Sequence, residues 1–116
     1  MNKKLKEKWV DALRSGEFMQ GHEALTINHG ETCAYCCLGV LCKIFDLPSV
    51  PNEECHTNIK YDFGNGELED GRIPDKFAKS IGLEPKQQDN LISMNDGYED
   101  KKYSFSEIAD YIEENL

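Results

Sequence analysis

No apolar run in this 116-residue sequence approaches the ~20 residues that cross a bilayer; the longest, Cys36 to Cys42, is interrupted by Gly39. A transmembrane helix is therefore not expected. Four prolines and nine glycines are too few for a collagen-like or low-complexity chain, and apolar residues continue through to the C-terminus, which argues against disorder. Basic residues are scarce too: 13 Lys and Arg stand against 22 Asp and Glu, a formal charge of −9. Such a surface repels a DNA or RNA duplex and an acidic membrane. No P-loop, dinucleotide fingerprint or HExxH motif occurs, no internal repeat is visible, and no cofactor is expected. The basic start (Lys3, Lys4, Lys6, Lys8) is followed by charged residues instead of a leader's apolar stretch, so a cytoplasmic location is expected. Five cysteines, an odd number, without such a leader are read as reduced thiols and not as a disulfide framework.

What remains is the length and pattern of one globular domain over residues 1–116. Leu5, Trp9, Ala12 and Leu13 predict an amphipathic helix over residues 2–15, ended by Ser15-Gly16. Residues 24–27 and 32–35 flank the turn formers Asn28-His29-Gly30-Glu31 and predict a β-hairpin. Helical spacing returns from Cys36 to Phe45 and stops before Pro48. Residues 49–57 read as a loop, and Ile59, Tyr61 and Phe63 alternate with polar residues as a third strand. Pro74 marks the first residue of a short helix that Gly82 ends. Leu91, Ile92 and Met94 predict a short strand or a turn of helix before a turn at Asn95-Asp96-Gly97. Ser104 and Glu107 form a capping box, with Tyr103 and Ile108 at staple positions, for a last helix. The sum is an α+β fold, about four helices packed on a small, mostly antiparallel sheet.

Chemistry concentrates near the second helix. On a helical wheel Cys37 falls with Leu41 and Ile44 on the core face, whereas Cys36 falls opposite with Gly39 and Lys43. Cys36 is then the reachable thiol, and unpaired N–H groups in a helix's first turn lower a thiol's pKa. With Gln20 as oxyanion donor and His22, His29 or His56 as base, Cys36 becomes the nucleophile of a cysteine hydrolase. Packing is the plainer account, because free cysteine is among the most buried residue types. Cys33, Cys36, Cys55 and His56 supply four zinc-type ligands as the metal alternative, although Cys55 and His56 are adjacent and only one C-x-x-C is present. Gln20-Gly21-His22 and Asn95-Asp96 are turn formers that can also approach an anionic or ribose-bearing ligand. Tyrosines 35, 61, 98, 103 and 111 fit core positions as well as a stacking platform. Five basic groups lie in residues 1–14 beside only Glu7 and Asp11, leaving a strongly acidic remainder. Solvated helix pairs such as Lys3 with Glu7 explain the basic stretch and solubility the acidic one, whose functional alternatives are mimicry of a phosphate backbone or docking on a basic host protein.

The chain resembles a group of small bacteriophage and prophage proteins, most of them hypothetical. The resemblance rests on residues 9–16 (WVDALRSG), Gln20-Gly21, residues 35–42 (YCCLGVLC), Ile73-Pro74, Gly82-Leu83, Met94-Asn95-Asp96 and residues 104–110 (SFSEIAD). It departs from the group at Cys33, an extra thiol, and at His22, where a basic residue is common. The resemblance implies an accessory, anti-defence protein acting in the host bacterial cell. The expectation is a non-enzymatic binding module, assembled as a homo-oligomer, that sequesters a small nucleotide-like ligand near Gln20, Tyr35, Cys36, Asn95 and Asp96. Local N–H groups with Lys3, Arg14, Lys43 or Arg72 would offset the ligand's charge. The alternatives are an acidic protein-binding inhibitor of a host enzyme and the hydrolase centred on Cys36.

Overall fold

The computed structural model describes residues 1–55, 57–97 and 101–116. These form five helices and six short strands: α1 (Lys3–Arg14), β1 (Met19–Gln20), β2 (Thr26–Asn28), β3 (Cys33–Tyr35), α2 (Cys37–Ile44), β4 (Ser49–Pro51), β5 (Ile59–Asp62), β6 (Leu68–Glu69), α3 (Asp75–Ser80), α4 (Pro85–Asp96) and α5 (Phe105–Asn115). The fold is α+β, with a fifth helix and with two three-stranded sheets in place of one. In the first sheet, ordered β1-β3-β2, the expected hairpin pairs Ile27 with Ala34, and β1 joins parallel to β3. The second sheet, ordered β4-β5-β6, is antiparallel and places Tyr61 opposite Ser49 and Glu69. Residues 49–51, expected as loop, are its first strand. Turn formers there mask the backbone pairing that β5 provides.

Helix α2 forms the centre, and every residue from Cys37 to Cys42 is buried. α1 lies against it through Trp9, whose indole N–H donates to the Cys37 carbonyl at 2.9 Å. α1 packs most extensively on α5, whose stripe of Phe105, Ile108, Ala109 and Ile112 closes the core. Across this contact Arg14 reaches Asp110 at 2.6 Å and Glu113 at 3.1 Å. The capping box is formed as read: Ser104 Oγ accepts from the Glu107 N–H, and the Glu107 carboxylate accepts from the Ser104 N–H.

Residues 85–96 depart furthest from expectation. They are a full three-turn helix, not a short strand or single turn, with Pro85 in the first turn and Gln87 accepting from the Glu84 N–H. Its buried stripe is Gln88, Leu91 and Asn95. Two amides on that stripe give it a polar composition that hydrophobic periodicity reads as exposed. Gln88 pairs with Ile73 like a strand, accepting from its N–H at 2.7 Å and donating to its carbonyl at 3.0 Å. Asn95 and Asp96 are therefore helical, and Gly97, with a φ of 75°, ends the helix.

Gly39 sets how closely α2 approaches the first sheet. A Cβ at this position would collide with the carbonyl of Leu25, which itself accepts from the Cys36 N–H. Gly39→Ala is expected to destabilise the protein by about 2 kcal/mol through overpacking, read as a lowered urea midpoint. Gly71→Ala, with open space around the new carbon, is expected to change stability by less than ~0.5 kcal/mol.

Candidate functional site

β1 and β3 run side by side into the N-terminus of α2, and the C-terminal turn of α4 closes over the same point. This brings Gln20, Asn95 and Asp96 together and sets Tyr35 beside Gln20 in the sheet register. Asn95 is the hub and is fully buried. Its Oδ1 accepts from Gln20 Nε2 at 3.1 Å and from the Cys37 N–H at 3.3 Å. Its Nδ2 donates to the Gly21 carbonyl at 2.8 Å and to Asp96 Oδ1 at 2.9 Å. Gln20 Nε2 donates also to the Tyr103 carbonyl at 2.8 Å. Both Gln20 amide hydrogens are thus engaged, and the oxyanion-donor role expected of it has no hydrogen left to fill it.

The Asp96 side chain is 6% exposed and accepts from the Glu23 N–H at 3.0 Å. His22 turns Nδ1 to the Asn95 carbonyl at 2.9 Å, with Asp96 Oδ1 4.0 Å away. A carbonyl can only accept, so Nδ1 is the donor in this contact. The Tyr35 ring is half-buried and packs edge-on against Phe18 at 5.2 Å. Desolvation and the neighbouring Cys33 raise its hydroxyl pKa. Polar groups of this cluster are directed at one another, which makes it a clamp between β1, α2 and α4.

The expectation of a reachable, acidified Cys36 is corrected. Cys36 is the N-cap of α2, as its position before the helical run suggests, but it is only 6% exposed. Its sulfur accepts from the Gly39 N–H at 3.4 Å. Burial outweighs that bond and pushes the thiol pKa up to about 12. Cys37 and Cys42 are raised by the same desolvation. The wheel fails here because Cys36 is the extended N-cap and not a helical residue, and because the Leu25 backbone and Asn95 of α4 cover the first turn of α2, while Lys43 on the same side stays exposed. With the sulfurs of both Cys36 and Cys37 sealed, the expected ligand pocket loses the thiol floor it was built on. Cys55 is the exposed thiol, lowered in pKa by hydrogen bonds from Thr57 and the Asn58 backbone.

The zinc alternative divides between unlike environments. Cys36 is buried, Cys33 is partly buried, Cys55 is exposed, and His56 lies outside the described residues, as does Tyr98. Among the described residues no three His, Cys, Asp or Glu side chains gather as a metal would need. His29 is exposed at the hairpin turn. Two of the cations expected to assist a ligand are paired with acidic groups: Arg14 with Asp110 and Glu113, and Arg72 with Asp89 at 2.8 Å and Asp75 at 3.5 Å.

A family model described as a domain of unknown function, DUF8296, matches residues 1–116. No curated protein and no solved structure matches the chain.

Two measurements test this arrangement. Asn95→Ala leaves the Gln20 amide and the Cys37 N–H without their acceptor, and a loss on the order of 3 kcal/mol is expected in chemical denaturation. In alkylation with iodoacetamide near neutral pH, Cys55 is expected to react first, and Cys36, Cys37 and Cys42 only after unfolding. Rapid labelling of Cys36 in the folded protein would restore the hydrolase reading.

Proposed function

The chain belongs to the DUF8296 family, and because a domain of unknown function carries no activity across, we propose one from the geometry: an acidic binding module whose partner is a basic protein. The observation that carries this is a division of polar groups. Those at the centre of the fold are joined to one another, and no buried side-chain nitrogen or oxygen among the described residues lacks a partner. Unneutralised charge lies outside, where the excess of carboxylates behind the −9 net charge is carried by exposed residues. Sequestering a nucleotide near Gln20, Tyr35, Asn95 and Asp96 would require breaking the clamp that holds three elements together. A basic protein requires no such opening, and long-range attraction steers it to an acidic surface.

The resemblance to phage-encoded accessory proteins supports a host enzyme as that partner, bound and inhibited in the bacterial cytoplasm. Among the described residues no helix is long and apolar enough to cross a membrane, which is compatible with such a setting.

Capture from a bacterial lysate is expected to retain a basic protein at about 0.1 M salt and to lose it towards 1 M, as the Debye length falls from about 10 Å to 3 Å. Absence of any salt-sensitive basic partner overturns the proposal. Thermal stabilisation by cyclic or ADP-ribose-type nucleotides, without host protein present, would favour ligand sequestration instead.

A further inference from the structure

Among the described residues the second sheet ends in an uncovered edge. β6 is the outer strand of the β4-β5-β6 order, and Glu67, Leu68 and Glu69 are all exposed. Leu68 stands opposite Asp62, and the Asp62 N–H donates to Pro48 on the β4 side. The flanking Phe63 N–H donates to the Glu67 carbonyl. By the alternation of antiparallel pairing, Leu68 turns its own N–H and C=O away from β5, to the open edge.

Side-chain alternation then divides the two sides of this edge. Glu67 and Glu69 share the side of Tyr61 and Phe63, whereas Leu68, 41% exposed, lies on the outer side with Asp62. On the inner side Glu67 stands between two open cavities. One, of about 480 Å³, is lined by Phe63, Phe77 and Lys76 among others. The other, of about 570 Å³, is lined by Glu67, Glu69, Asp75 and Asp89 around Arg72. Asp75 and Asp89 hold that guanidinium, and among the described residues neither Glu67 nor Glu69 forms an ion pair.

We propose that β6 is a docking edge for an extended basic segment of another protein, which adds as a strand beside Leu68, sets Arg or Lys against Glu67 and Glu69, and lays apolar residues on Leu68. Charge complementarity selects this occupant, and main-chain bonds to an exposed edge supply the geometry. It rests on the basic-partner reading above and assigns that reading a place.

The probe is a short synthetic peptide alternating Arg with Val, titrated into isotope-labelled protein at low salt and followed by backbone amide shifts. Shifts centred on residues 67–69 are expected, with binding at least tenfold tighter than that of a peptide of equal composition with its Arg and Val in blocks. Leu68→Pro, which removes the outward N–H, is expected to weaken binding at least tenfold. Should that variant not fold, a peptide N-methylated on the residues facing the edge tests the same bonds in the unaltered protein, with the same loss expected. Equal binding of alternating and block peptides, or shifts centred on Asp110 and Glu113, overturns the edge while leaving a basic partner in place. Concentration-dependent shifts at residues 67–69 without peptide assign the edge to a second copy and overturn the proposal. Absence of peptide binding together with absence of a salt-sensitive partner removes the underlying reading as well.

Discussion

One buried carboxamide holds the fold in register. Asn95 accepts twice and donates twice, so all four of its hydrogen-bonding positions are filled by different groups. Its partners come from β1, the residue after β1, the first turn of α2 and its own neighbour Asp96. The bond to the Cys37 N–H matters most, because the first N–H groups of a helix have no partner within it. A surface helix leaves them to water. α2 cannot, since its N-terminus is sealed by the first sheet, so a side chain from another helix must supply the acceptor.

Helix α2 is consequently defined by what may sit at its ends and beside it. Cys36 caps it with a sulfur small enough to remain under the sheet, Cys37 gives its carbonyl to Trp9, and Gly39 lets the Leu25 backbone pass within contact. The residues that read as a thiol centre are thus a packing solution: small, weakly polar side chains where two backbones approach. The same enclosure removes nucleophilic chemistry. A thiolate in that position has no solvent and, among the described residues, no paired cation, and the proton is retained.

Elements whose buried stripes are apolar were legible from residue spacing. α1, with Trp9 and Leu13, and α5, with its capping box and Phe105, Ile108 and Ile112, appear within a residue or two of expectation. α4 was legible only as a short strand or a turn of helix, because Gln88 and Asn95 occupy its core face and polar residues there count against burial. Their partners, Ile73 and Gln20, lie far off in sequence, so nothing local announces the compensation. β4 and β6 are too short to show alternation and exist through pairing with β5. Gln20, Asn95 and Asp96 were recognised as belonging together, but as the lining of a site. Their types suggest hydrogen bonding, and only the fold decides that the bonds are made to each other.

The acidity of the chain bears on its exposed strand edge in two opposed ways. An open edge invites pairing with identical molecules, and proteins blunt such edges with proline or charge. β4 ends in Pro51, which has no N–H to offer. β6 has no proline, and its two outward polar groups at Leu68 are flanked by Glu67 and Glu69. Two copies pairing edge to edge would bring four carboxylates against one another, a like-charge contact that disfavours association. The device that closes β6 to its own kind leaves its backbone groups accessible to a strand of opposite charge. Selectivity at this edge therefore needs no deep pocket, because the side chains that reject one class of strand are the ones that attract the other.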